Sequence, residues 1–122
     1  MRLDHVNLTV HDVSEASSFF KKHLGCKEAF EGNDDEIAVL VDQAGMYINL
    51  MRGKDPSYPP TFHIGFDAET EDQVDAMYDA LKADGIRVKR PKHAWGSYTF
   101  QFECPGAAFL IEIACEPSDP EG

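Results

Sequence analysis

The chain has 122 residues, which fits one domain or two half-size modules sharing a core, since a module of about 60 residues is marginal alone. A hydrophobic fraction of 43% with 27% charged residues is ordinary for a globular protein, and no run nears the roughly 20 apolar residues that cross a bilayer. Eleven basic against 22 acidic residues leave a net charge of -11, which argues against nucleic acid as a partner and suits either a cationic small ligand or simply an acidic solvated surface.

Met1 leads almost directly into a strand-like alternation, without the cationic, apolar and small-residue succession of a signal peptide, so the expected address is cytoplasmic. Cys26, Cys104 and Cys115 are odd in number, widely spaced and free of any CxxC pair. Buried or idle thiols are therefore expected, rather than a disulfide framework or a thiolate zinc site.

Residues 3–10 alternate Leu3, His5, Asn7 and Thr9 against Val6, Leu8 and Val10, the period-two signature of a half-buried strand. Asp12 with Glu15 three positions on makes a capping box. Val13, Ala16, Phe20 and Leu24 then fall at helical spacing until Gly25 ends the run. Strands are predicted at 27–31, 36–42 and 46–52, separated by the turn residues Gly32, Asn33 and Asp34 and by Gln43, Ala44 and Gly45. Pro56, Pro59 and Pro60 make 53–60 a linker.

The pattern then restarts. Residues 61–68 alternate Phe62, Ile64 and Phe66 against His63, Gly65 and Asp67, and Thr70 with Gln73 caps a second helix bearing Val74, Met77, Tyr78 and Leu81, closed by Gly85. Further strands are predicted at 86–90, 98–103 and 108–115. Both halves thus read βαβββ, with offsets of 58 residues from His5 to His63, 60 from Gly25 to Gly85 and 63 from Asn49 to Glu112.

Each helix must cover one sheet face, and the apolar sets of the strands supply it. His5, His63, Asn49 and Glu112 then fall on the opposite faces, where a pseudo-twofold relating the halves would gather them around one axis. Two imidazoles and a carboxylate from separate strands make a facial triad for a divalent first-row metal, with open positions for a substrate presenting two oxygens. The same residues on the solvent face of an antiparallel sheet are also ordinary one at a time; their equivalent placement in two halves is what favours ligation. Packing Tyr98, Phe100 and Phe102 under the helix turns Thr99, Gln101 and Glu103 toward the site; the opposite phase would reverse this, and the first is preferred because it buries three rings. Tyr47 shares the face of Asn49, Trp95 and Gly96 form a loop that either closes over a ligand or packs its indole on the neighbouring hairpin, His11 and His93 read as exposed loop residues, and His23 suits the negative end of a helix dipole.

The stretch LDHVNLTVHDVSEASSFFKKHLG resembles the opening of the vicinal oxygen chelate superfamily, which includes glyoxalase I, fosfomycin resistance proteins, extradiol dioxygenases and bleomycin resistance proteins. FHIGFD and LIEIA resemble that superfamily's fifth and last strands, and WGSYTFQFECPG the tract leading into its final hairpin, so the likeness runs from Met1 to about Cys115. It implies an α+β, glyoxalase-like fold in which two tandem βαβββ modules form a curved mixed sheet around a cup. The whole chain, 1–122, would be one such domain, with modules 1–52 and 61–115, linker 53–60 and a flexible tail 116–122.

The same resemblance implies one divalent ion, Mn, Fe, Ni or Zn, held at each site by His5, His63 and Glu112, with Asn7, Tyr47, Asn49, Trp95, Thr99, Gln101 and Glu103 shaping the substrate pocket. It further implies a homodimer in which His5 comes from one chain and His63 with Glu112 from the other. Asn49 stands where similar glyoxalase I enzymes carry a fourth ligand glutamate close to the chemistry, which disfavours that activity because an amide supplies no base. Asn7 replaces the threonine usual in fosfomycin resistance proteins. The expected function is a metal-dependent enzyme acting on a small substrate with vicinal oxygens, its general base unidentified. The rival is a metal-free, bleomycin-resistance-like protein that sequesters a cationic small molecule.

Overall fold

The computed structural model describes residues 1–116; the remainder of the predicted tail lies outside the described residues. Within it the chain runs β1 (His5–Val10), α1 (Val13–His23), β2 (Lys27–Glu28), β3 (Ile37–Val41), β4 (Tyr47–Arg52), β5 (His63–Asp67), α2 (Glu71–Ala83), β6 (Lys92–Ala94), β7 (Ser97–Glu103) and β8 (Leu110–Cys115). The strands form two four-stranded mixed sheets, ordered β1-β4-β3-β2 and β5-β8-β7-β6. In each, the first strand of the half lies parallel to the last and the other pairs are antiparallel. The chain divides into one compact unit of Met1–Pro59 with Cys104–Ala108 and a second of Pro60–Glu103 with the chain from Phe109 on.

The same local chemistry builds both units. The Asp12 carboxylate accepts from Glu15 N at 2.9 Å and caps α1, while Thr70 Oγ1 accepts from Gln73 N at 3.1 Å and caps α2. Gln73 Oε1 answers by accepting from Glu69 N at 2.8 Å. Gly25 (φ 68°) and Gly85 (φ 81°) follow the two helices in the left-handed conformation that ends them. The predicted helix stripes turn inward: Val13, Ala16 and Phe20 of α1 are buried, as are Leu40 of β3 and Leu50 of β4 beneath it, and Val74 and Leu81 of α2 are buried over β7 and β8, which carry Phe100, Ile111 and Ile113. Among the described residues no helix is long and apolar enough to cross a membrane.

The structure corrects several expectations. The strand predicted at 86–90 is absent, and β6 lies at Lys92–Ala94 beyond Pro91, so the Ile86–Val88 alternation belongs to irregular chain. His93 is consequently a strand residue, its ring 4.8 Å from that of Tyr98 and its Nε2 3.2 Å from Glu71 Oε2. The segment at 27–31 pairs only over two residues. Phe62, Ile64 and Phe66 are half-buried rather than buried, because β5 is an edge strand. The linker is anchored: the Tyr58 hydroxyl accepts from Thr9 N at 2.8 Å and donates to Thr9 O at 3.0 Å, satisfying part of the free edge of β1.

All three cysteines are free and buried. Burial pushes the Cys26 thiol up to about 11, helped by the nearby Asp42 carboxylate, and burial likewise raises Cys115. At neutral pH these thiols stay protonated, so the expectation of inert cysteines holds for them.

Candidate functional site

Strand register makes the internal repeat explicit. In the first unit His5 opposes Tyr47 and Asn7 opposes Asn49; in the second His63 opposes Leu110 and Gly65 opposes Glu112. The offsets of 58 and 63 read from the sequence therefore map ladder onto ladder, making His63 the counterpart of His5, Glu112 that of Asn49, and Gly65 that of Asn7.

In the second unit these positions converge. His63 Nε2 lies 3.7 Å from Glu112 Oε1. That is too long for a hydrogen bond and a few tenths of an ångström wider than the roughly 3–3.4 Å expected between two donors each about 2.1 Å from one ion. The far atom of each group is fixed from behind. His63 Nδ1 lies 3.0 Å from the Thr61 carbonyl, which can only accept, so Nδ1 carries a proton and the tautomer this selects has its lone pair on Nε2. Glu112 Oε2 accepts from Thr99 Oγ1 at 3.0 Å and from Gln101 Nε2 at 3.4 Å, leaving Oε1 toward the imidazole. The Thr99 hydroxyl has one proton and a second acceptor in reach, Ile113 O at 2.9 Å.

The predicted phase of β7 is the one adopted. Phe100 and Phe102 are buried, Phe100 meets Tyr78 of α2 edge-on, and the Tyr98 hydroxyl donates to Asp75 at 2.6 Å. That bond to a carboxylate, more than desolvation, pushes the Tyr98 phenol up to about 12. Thr99, Gln101 and Glu103 accordingly line a groove of 640 Å³ in the second unit, together with Glu112 and Trp95. Trp95 and Gly96 occupy the two-residue turn between β6 and β7, both with positive φ (56° and 75°), and the indole stands 99% exposed at the rim instead of packing on the neighbouring hairpin.

In the first unit the equivalent place is filled differently. Asn49 Nδ2 donates to Asn7 Oδ1 at 2.7 Å, and Asn49 Oδ1 is buried with no hydrogen-bond partner among the described residues. His5 Nδ1 lies 3.0 Å from Asp4 Oδ2, an orientation that again leaves Nε2 outward. Tyr47 is exposed on the Asn49 side of β4. Among the described residues of one chain, no group of three His, Cys, Asp or Glu side chains is placed to hold a metal ion. The second unit thus unites His63, Glu112, Thr99 and Gln101, while His5, Asn7, Tyr47 and Asn49 belong to the first. Sequence reasoning missed the Thr61 carbonyl, a backbone atom without a side-chain signature, and the basic run 87–92, whose Arg87, Lys89, Arg90 and Lys92 line the same groove.

Residues 2–122 match the profile of the Glyoxalase/Bleomycin resistance protein/Dioxygenase superfamily. An uncharacterized protein of Bacillus subtilis (strain 168), YqjT, is 31% identical over 97 residues, 70% of this chain and 73% of that protein. The structure of a possible glyoxalase from Bacillus cereus superposes with a TM-score of 0.88 at 44% identity, covering 94% of this chain and 99% of that one. A mutant of the fosfomycin resistance protein FosX from Listeria monocytogenes, complexed with Mn(II) and a dihydroxypropylphosphonic acid, shares the fold with a TM-score of 0.79 at 20% identity over 95% and 92% of the two chains.

Proposed function

Since this chain belongs to the glyoxalase/bleomycin resistance/dioxygenase superfamily, we propose that it is a metal-dependent enzyme acting on a small substrate with vicinal oxygens. The observation that supports this is the pair His63 Nε2 and Glu112 Oε1 at 3.7 Å, each with its other polar atom already held by Thr61 O or by Thr99 and Gln101. A histidine that only packs, or a carboxylate that only solubilises, has no use for such orientation. The residues present fit a divalent ion: a neutral imidazole nitrogen and a carboxylate oxygen suit Mn, Fe, Ni or Zn, and His5 of a second copy would supply the third donor in a homodimer. When bound, the ion supplies Lewis acidity toward two substrate oxygens.

The chain's own residues do the rest. The Thr61 carbonyl keeps the His63 proton on Nδ1, and Thr99 with Gln101 holds the Glu112 carboxylate in one orientation. Asn49 supplies no base where a glutamate would, which directs the proposal away from glyoxalase I chemistry. Metal analysis of protein purified without chelator tests the reading. Near-stoichiometric Mn, Fe, Ni or Zn is expected, and its loss in His63→Ala; a chain that holds no metal, and binds none when supplied, overturns it. Replacing Thr99 with Val keeps the side-chain shape but removes the donor to Glu112, so affinity in a competitive chelator titration should fall about 10–100-fold. Unchanged affinity would detach Thr99 from the site.

A further inference from the structure

We propose that the substrate carries an oxyanion, a phosphonate, phosphate or carboxylate, held within the groove by Arg87, Lys89, Arg90 and Lys92. This rests on the proposed function only for what occupies the Glu112 position; the anion site follows from charge and register alone. The chain has 11 basic residues against 22 acidic ones, yet four of those bases fall within six consecutive positions and all four line one groove. The carboxylates in that lining are Glu103 and Glu112, and Thr99 and Gln101 already bond to the latter. None of the four cations forms an ion pair with a described residue.

Register decides where the charge points. Lys92 opposes Thr99 across the β6–β7 ladder, and directly paired residues share a sheet face. Lys92 is therefore on the same face as the Thr99 hydroxyl that bonds Glu112, while His93 turns the other way toward Glu71. Gathering four like charges without a described counter-charge costs repulsion that an incoming anion relieves, and water-exposed cations steer it inward. The 640 Å³ of the groove lies within the roughly 300–1,000 Å³ typical of small-ligand pockets. Trp95, held at the rim in a conformation that bulky residues seldom adopt, offers an aromatic face for the organic part of the ligand. This local field opposes the cationic ligand that the overall charge of -11 suggests.

The test uses the metal-stripped whole chain at low ionic strength. Line broadening of methylphosphonate by phosphorus NMR and of labelled acetate by carbon NMR reports binding, with the neutral dimethyl methylphosphonate as control. Saturable broadening of at least one anion, none of the neutral ester, and reversal by added salt are expected. The double variant Lys89→Glu, Arg90→Glu should weaken binding about tenfold or more and, before stripping, hold metal as the parent does, because both side chains are exposed and the ion-pair partner of Glu112 is His63. His63→Ala should bind the anion as the parent does. Methylphosphonate alone would assign a tetrahedral oxyanion, acetate alone a carboxylate. Failure of both anions to broaden, equal binding of the neutral ester, or indifference to the double charge reversal overturns the anion site. Loss of metal in His63→Ala is read separately, so one idea can fail without the other.

Discussion

Glu112→Gln is expected to fold normally and to lose metal affinity by about a hundredfold or more, because a neutral amide replaces the charged oxygen donor. The fold should survive for a local reason. The amide oxygen of the substituted side chain can still accept from Thr99 Oγ1 and Gln101 Nε2, and β8 keeps its ladder to both neighbours. What changes is the atom facing His63: an NH₂ group that donates and carries no charge would stand where Oε1 stands now. Metal retained after dialysis, measured beside the melting temperature, separates these effects. A variant that melts like the parent but is metal-free supports Glu112 as ligand, whereas full retention removes it from the donor set and leaves its two hydrogen bonds as cross-strand contacts alone.

The repeat was legible in the sequence because its markers are local. Caps at Asp12 and Thr70, closing glycines at Gly25 and Gly85, and alternation around His5 and His63 each follow from a few residues, and the ladders then reproduce the offsets of 58 and 63. The failures have a common character: they depend on atoms or sums that a residue-by-residue reading does not weigh. Ile86 and Val88 alternate as a strand would, but pairing begins only after Pro91, where Lys92 meets Thr99. The anchor of the linker at Tyr58 leaves no local mark because its partner is the backbone of Thr9, 49 residues away. Net charge does not locate the basic run because it sums over the whole surface, while the groove is lined by Arg87, Lys89, Arg90 and Lys92. His5 shows the remaining limit. Its counterpart His63 finds a carboxylate across its own sheet, whereas the strand beside His5 carries Asn49, so the ladder next to His5 offers no counterpart of Glu112.

The two units differ at one register position in a way that gives the proposed site a second test. Asn7 and Asn49 face each other in the first unit and bond amide to amide at 2.7 Å; at the same register of the second, Gly65 faces Glu112. Gly65 is not needed for backbone freedom, since its φ is not positive, and a Cβ built there would lie 3.9 Å from Glu112 Oε1, an ordinary contact. Its value is the space a longer side chain would fill. Gly65→Asn should place an amide donor beside Oε1 and occupy the lone pairs that point toward His63, filling the space as Asn7 fills it in the first unit but with the donor on the opposite strand. Metal affinity is expected to drop about 10–100-fold, with the melting temperature unchanged or slightly higher because glycine is a poor strand residue. Gly65→Ala, too short to reach Oε1 with a polar group, should keep the metal. Equal affinity in Gly65→Asn, Gly65→Ala and the parent would mean that the space beside Oε1 is not where an ion sits, and the pairing of His63 with Glu112 would then be an ordinary surface contact.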